Sequence, residues 1–218
     1  MKEKDIYIIV TSVIYFANGG FSYSDKRSNY NPEQRISQTI ETISSIKKYI
    51  PQAKIILLES WLQNIYKNLW SQTINNLYKY IYIWDNRIVR AAVDSKRKGF
   101  WETIWLLFGV PKENLENSLY FKFSGRYRIN ENFDINKFGK NWFSFLSKNL
   151  HHSTRFYSWS GSYFWIWKIF LILSLPFLLL NISIEKILYM LIPWFMIHKV
   201  DMLGISGEIW TDWHKIDE

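Results

Sequence analysis

The segment Tyr120 to Arg128, YFKFSGRYR, gathers the side chains best suited to holding an anion. Arg126 offers a planar bidentate fork to phosphate oxygens, Lys122 a point charge and Ser124 a hydroxyl donor. Gly125 has no Cβ, so the backbone there can approach a ligand closely. Alternation puts Leu119, Phe121 and Phe123 on one face of a strand and Tyr120, Lys122 and Ser124 on the other. A strand end of this kind can neutralise negative charge on a bound or departing group. The same residues also describe an amphipathic edge strand that ends in a solvated turn.

Several other chemistries are excluded by composition. The chain has no Cys, which rules out disulfides, thiolate catalysis and Cys-ligated zinc, and its 4 His show no metal-ligand spacing such as HExxH. At 218 residues it is long enough for one domain with a substantial core and short for two. Aromatic residues make up 19%, including 12 Trp, which argues against global disorder and for a large buried or membrane-facing apolar surface. The formal charge of +8 favours an anionic partner, and nucleic acid, nucleotide phosphates and an anionic membrane surface all qualify.

The elements that must position these residues alternate along the chain. The N-terminus looks superficially like a signal peptide, but Glu3 and Asp5 in its charged region and the lack of a small-residue cleavage site favour a first strand. Ile6 to Ile14 is a nearly continuous β-branched run, as expected of a strand buried on both faces. After a polar loop from Asn18, Gly19 and Gly20, Asn31 and Pro32 open a helix with Ile36, Ile40, Ile43, Ile46 and Ile50 as its apolar stripe, and Pro51 ends it. Ala53 to Leu58 predicts a second strand closing at Glu59. Ser60 then caps a helix marked by Leu62, Ile65 and Leu69, and Tyr80 to Trp84 predicts a third strand ending at Asp85 and Asn86. Asp94 or Ser95 caps a helix with Trp101, Ile104, Trp105 and Phe108 as its buried stripe, and Leu119 to Ser124 is the fourth strand. This order predicts an α/β domain with a largely parallel sheet flanked by helices. Ligands of such sheets sit outside the carboxyl ends of the strands. Here those ends are Thr11 and Ser12, Glu59, Asp85 and Asn86, and Ser124, Gly125 and Arg126. Any strand-to-loop transition shows similar polarity.

Arg35 to Ile50 and the following PQAKIILLE read R-x-x-Q-T-x-x-T-x-x-S-I-x-x-x-x-P-x-A-x-I-x-L-x-E, and Lys122 to Tyr127 reads KFSGRY. With Ile182-Ser-Ile-Glu185 and Asp201-Met-Leu-Gly-Ile-Ser-Gly207, this pattern resembles small GT-A-type glycosyltransferases of surface-polysaccharide gene clusters and large viruses. The resemblance implies a single GT-A-like, Rossmann-related domain over 1–218. Residues 1–128 would form its nucleotide-sugar-binding half, and 129–218 an acceptor-side half with apolar helices. It implies a donor lying across the carboxyl edge of the sheet, with Thr11 and Ser12 lining the nucleotide pocket and Glu59 accepting hydrogen bonds from base or ribose. Arg35 and Gln38, on the solvent-side arc of the first helix, would contact the donor, as would Asp85, Lys98, Ser124 and Gly125. Gly161, in WSGSY, resembles the glycine loop on the acceptor side. Glu185 stands where such enzymes place an acidic residue that in inverting members deprotonates the acceptor hydroxyl, and a carboxylate between two apolar segments suits a general base. Plainer readings exist for several of these: Arg35 and Gln38 as caps of a loop, Glu59 as a carboxylate at a helix N-terminus, Lys98 as a solvated helix start, and Glu185 as an exposed first-turn residue.

The pattern departs from the GT-A group in one respect. Those enzymes usually hold Mn²⁺ or Mg²⁺ through an Asp-x-Asp, and none occurs in this chain. Fixed cations at Lys122 and Arg126 are expected to stabilise the leaving diphosphate instead. No cofactor is predicted, although Asp85 or Asp134 can still ligate an ion.

Phe164 to Leu180 and Ile187 to Ile197 are two apolar stretches, separated by Asn181, Ser183, Glu185 and Lys186 and interrupted by Pro176 and Pro193. They read either as core helices or as a surface that dips into a bilayer with Trp159, Trp165, Trp167 and Trp194 near the headgroups. The expected partners are a nucleotide-sugar donor and a glycan or lipid-linked acceptor, with membrane-surface association and no nucleic acid. The expected location is cytoplasmic, peripheral on the inner face of the membrane. Two competing readings stay open: a non-catalytic basic, aromatic-rich module binding membrane or single-stranded nucleic acid, and a glycosyltransferase fold that has lost activity.

Overall fold

Ile6, Tyr7, Ile8, Ile9 and Val10 fill the middle of strand β1 (Asp5–Ser12) and are buried on both faces. The computed structural model describes residues 4–14, 20, 28–59, 73, 75–83, 86–93, 95–139, 142–208 and 215–217. β1 lies between β2 (Lys54–Glu59) and β4 (Ser118–Ser124), parallel to both, and β3 (Lys79–Tyr82) extends the parallel set beyond β2. Beyond β4 the sheet turns antiparallel through β8 (Phe156–Ser160), β6 (Phe143–Lys148) and β7 (His151–His152), and β9 (Ile197–Val200) pairs parallel to β6. A smaller antiparallel sheet joins β5 (Tyr127–Ile129), β10 (Ile205–Glu208) and β11 (Lys215–Asp217).

Strict alternation along the central strands divides the core in two. Tyr7, Ile9, Tyr120, Tyr157 and Trp159 face helices α3 (Lys98–Gly109), α4 (Phe164–Leu179) and α5 (Ile184–Leu191). Rings of Tyr7, Tyr120, Trp159 and Trp167 form a stacked column from β1 to α4, with successive centroids 5.2, 5.4 and 4.1 Å apart. Ile8, Val10, Phe121 and Phe123 face the other side, against α1 (Pro32–Tyr49) and the small sheet.

Helix α1 begins as its sequence predicts. Asn31 Oδ1 accepts from the Gln34 N–H at 2.8 Å while Gln34 Oε1 accepts from the Asn31 N–H at 2.9 Å, a complete capping box with Pro32 as the first helical residue. The packed stripe differs from the isoleucine-only expectation, because Thr39 and Thr42 are buried and Ile40 is half-buried. Thr39 donates to the Arg35 and Gly125 carbonyls, Thr42 donates to the Tyr127 carbonyl at 2.8 Å, and Ser45 Oγ accepts from the Ile129 N–H at 3.0 Å. This hydroxyl ladder docks α1 on the chain leaving β4. It accounts for the repeated Thr and Ser in the helix.

Three sequence expectations are corrected. β4 is a central strand buried on both faces, so Lys122 is only 2% exposed. The helix expected after Asp94 or Ser95 is α3, capped by Arg97 without a side-chain bond, and a separate short helix α2 (Arg87–Val93) precedes it. Phe108 is 52% exposed, because α3 instead buries Leu106 and packs Gly109 against Leu58. The largely parallel sheet is as the element order predicts, with β8 pairing antiparallel to β4 and β6 antiparallel to β8 at one side. The helix expected from Ser60 to Leu69, together with Asn18, Gly19, Trp84, Asp85 and Asp94, lies outside the described residues.

Candidate active site

The carboxyl ends of β1 and β4 meet in direct backbone contact. The Gly125 N–H donates to the Thr11 carbonyl at 2.8 Å, and a Cβ at Gly125 would lie 3.0 Å from that oxygen. Only the absence of a side chain permits this approach. Thr11 Oγ1 donates to the Phe123 carbonyl, and Ser12 Oγ shares a 3.0 Å hydrogen bond with Thr39 Oγ1. Arg35 is 4% exposed rather than on the solvent-side arc. Its Nε and Nη2 donate to the Val13 carbonyl at 3.2 and 3.0 Å, and Nη1 donates to Gln38 Oε1 at 3.3 Å. Thr11, Ser12, Arg35 and buried Glu59, which faces Ser12 in register, thus form the internal joint between α1 and the sheet. Burial, and after it the charge of Arg126, pushes the Arg35 guanidinium down to about 9, with Glu59 partly offsetting both.

The charge of Arg126 couples this joint to a cleft. Arg126 Nε donates to Ser124 Oγ at 3.4 Å, and its guanidinium lies 5.5 Å from the centre of the Tyr127 ring. Its field reaches Arg35 on one side and Lys98 and Glu102 on the other. The cleft has a volume of about 250 Å³ and is lined by Arg97, Lys98, Gly99, Glu102, Ser183 and Glu185 among others. Lys122 Nζ lies 2.6 Å from Glu102 Oε1 and donates to the Thr154 carbonyl at 2.7 Å. Thr154 Oγ1 then donates to Glu185 Oε1 at 2.8 Å. A continuous polar path therefore runs from Glu102 through Lys122 and Thr154 to Glu185.

The electrostatics are those of a cationic centre. Burial alone would raise the Glu102 carboxyl, but Lys122, Lys98 and Arg126 together hold it below its ordinary value. Burial, then repulsion from Arg126, pushes the Lys98 ammonium down to about 8, against the attraction of Glu102 and Glu185. Glu185, in the first turn of α5, also lines a second cavity of about 280 Å³.

The structure brings together Lys98, Lys122, Ser124, Gly125, Arg126 and Glu185 around this end of the sheet. Lys122 acts from beneath as the fixed counterion of Glu102. Gly161 is not among them. It starts a 3₁₀ turn at the amino end of β4, where a Cβ would collide with Ser118 Oγ and the Leu115 carbonyl, so its requirement is packing. Asp134 caps another 3₁₀ turn, accepting from the Asn136 N–H at 2.9 Å. Glu102 and Thr154 escaped sequence reasoning. The available signal for Glu102 was a lone acid in the apolar helix KGFWETIWLLFG, four residues after Lys98.

The described residues offer no ready-made cluster of cation ligands. Among them no group of three His, Asp or Glu comes together, and Glu102 is already matched by Lys122 with Lys98 and Arg126 nearby.

No protein-family model matches the chain, and no curated protein matches it. Solved structures do. Glycosyltransferase GlyE of Streptococcus pneumoniae TIGR4, in its apo form, aligns with TM-score 0.53 and 11% identity over 90% of this chain and 45% of its own. Galactosyltransferase LgtC, in complex with donor and acceptor sugar analogs, gives 0.48 and 6% over 84% and 69%. Mouse xyloside xylosyltransferase 1, in its apo form, gives 0.44 and 8% over 90% and 78%. The chain spans less than half the length of GlyE, so that likeness speaks to fold. With its parallel β3-β2-β1-β4 set continued by antiparallel β8 and β6, the chain has the GT-A glycosyltransferase fold.

Proposed function

We propose that the chain transfers a sugar from a nucleotide-sugar donor to a glycan or lipid-linked acceptor. The observation that carries this reading is the path Glu102–Lys122–Thr154–Glu185 beside Lys98 and Arg126, at the carboxyl edge of a GT-A sheet. Lys98 and Arg126 hold the donor diphosphate and stabilise the charge it gains as it leaves. Glu185, oriented by the Thr154 hydroxyl, takes the proton from the acceptor hydroxyl. The acceptor oxygen bonds to the anomeric carbon, and the diphosphate departs with the bonding electron pair. Fixed cations serve here in place of a divalent metal.

A bilayer is the proposed seat of the enzyme. The outer stripe of α4, Trp165, Ile169, Ile172 and Leu173, is exposed, and Trp194 is 84% exposed. The helical run Gly161–Leu179, 19 residues, is long and apolar enough to cross a membrane by length and composition. Its Lys168, however, is buried and donates to the Leu106, Leu107 and Val110 carbonyls at the end of α3. That anchorage favours α4 lying with one face against lipid, aided by the net charge of +8.

A thermal-shift panel of UDP-, GDP-, CMP- and TDP-sugars, each with EDTA and with Mn²⁺, tests the donor reading. One nucleotide class is expected to raise Tm in EDTA. A shift that needs Mn²⁺ overturns the metal-independent form, and no shift with any donor overturns the reading. Lys98 adds a pH signature. Its ammonium titrates at about 8, so it is charged at pH 7 and loses its charge as pH rises through that value. The donor kcat/KM is therefore expected to fall about tenfold per pH unit above the titration. In Lys98→Arg, whose guanidinium stays charged, this limb is expected to vanish.

A further inference from the structure

The β6–β7 hairpin places a second set of polar groups beside Glu185. Its turn residues Asn149 and Leu150 both take positive φ, 50° and 61°, as a two-residue I′ turn requires. That turn sets Lys148 across from His151 and Ser147 across from His152. The His152 ring is fully buried, stacked 4.5 Å from Phe145 and tilted against Tyr189 at 5.1 Å, and its Nδ1 shares a 2.8 Å hydrogen bond with Ser147 Oγ. Burial, with the charge of Lys199, pushes the imidazolium down to about 4, so the ring is neutral at pH 7. The neutral ring presents Nε2 as a donor when Ser147 donates to Nδ1 and as an acceptor when Nδ1 donates to Ser147.

Neither His152 Nε2 nor Ser153 Oγ has a hydrogen-bond partner among the described residues, although both atoms are buried. Buried polar atoms are ordinarily satisfied, and a ligand is one way to satisfy them. Both residues line the cavity of about 280 Å³ that ends at Glu185, and so do Lys148 and Arg155. An ammonium, a guanidinium and two unmet polar atoms around one carboxylate base match a sugar hydroxyl with an oxyanion nearby.

The geometry points to this cavity as the acceptor subsite, built for an acceptor that carries a phosphate or carboxylate close to the hydroxyl to be glycosylated. Lys148 and Arg155 bind the oxyanion, and His152 and Ser153 bind the sugar ring. Glu185, which borders this cavity and the donor cleft alike, receives the hydroxyl proton. The assignment rests on the transferase reading, because an acceptor subsite needs that base.

Equilibrium binding of glucose 1-phosphate, glucuronate and glucose to the whole chain, followed by its Trp fluorescence, tests the assignment. At least one acidic sugar is expected to bind tenfold or more tighter than glucose. A preference for glucose 1-phosphate identifies the phosphate class, and one for glucuronate the carboxylate class. Lys148→Glu, at an exposed position that leaves folding intact, is expected to abolish the preference, and Arg126→Ala, at the proposed diphosphate contact, to leave it unchanged. Acidic sugars binding no tighter than glucose, or a preference that survives Lys148→Glu, overturns the subsite while nucleotide-sugar binding stands. A preference lost in Arg126→Ala assigns the anion to the donor cleft and also overturns it. An intact preference with no nucleotide sugar bound leaves an anion site without an acceptor role, and there the transferase reading is what fails.

Discussion

Glu185→Gln lowers kcat for sugar transfer by roughly 10²–10⁴-fold while leaving donor affinity and Tm at wild-type values. The substitution is isosteric, and its side-chain oxygen still accepts the hydrogen bond that Thr154 Oγ1 gives Glu185 at 2.8 Å. Position is therefore kept and only basicity is lost, so a fall in kcat with unchanged donor binding reports proton abstraction. Radiolabelled or chromatographic transfer assays, run beside donor titrations on the same variant, separate the two quantities. A kcat within a factor of a few of wild type removes Glu185 as the base. Loss of donor binding would instead mean that the carboxylate holds the donor.

Lys122→Met destabilises the protein by about 3–5 kcal/mol, the range for removing one partner of a buried ion pair. Lys122 is almost fully buried, its Nζ lies 2.6 Å from Glu102 Oε1, and it also satisfies the Thr154 carbonyl. Without it Glu102 is a poorly solvated carboxylate and Thr154 loses its anchor. Adding Glu102→Gln to Lys122→Met removes the uncompensated charge and is expected to recover most of the loss, which a urea-denaturation cycle of the four proteins measures. A loss below about 1 kcal/mol in the single variant, or no recovery in the double, means that the pair is not the internal brace of the cleft. The double variant is also expected to transfer poorly at restored stability, since Thr154 no longer holds Glu185 in place.

Much of the first half of the fold was legible. Asn31 and Pro32 announce the start of α1 because capping is a contact between residues three apart, and the structure adds Gln34 to complete the box. The apolar run Ile6 to Val10 reads as buried on both faces, and it is, with α1 and the small sheet covering one face and α3, α4 and α5 the other. Gly125 reads as a point of close approach, and a backbone oxygen does come within 3.0 Å of its would-be Cβ. That oxygen belongs to Thr11 rather than to a ligand. The R-x-x-Q-T-x-x-T-x-x-S spacing was visible too. Its use, stitching α1 to the strand that leaves the site, depends on partners more than 80 residues away.

Glu102, Lys122, Thr154 and Glu185 show where local reading ends. Each is an ordinary polar residue in its own segment, and nothing within a helical turn or a strand repeat links them. Lys122 looked solvated because its strand alternates, a pattern that an edge strand and a central strand share until β8 covers the far side. Gly161 was singled out by resemblance to an acceptor-side glycine loop, yet the turn it starts lies at the opposite end of β4. The sequence by itself determined helix starts, strand faces, the cationic turn and the absence of Cys, because capping, periodicity and composition act over a few residues. Only the tertiary structure decided which charges pair, which hydroxyls are structural and which carboxylate borders both cavities. Those outcomes follow from strand order and helix docking, where burying an ammonium costs so much that it must find its carboxylate wherever in the chain that lies.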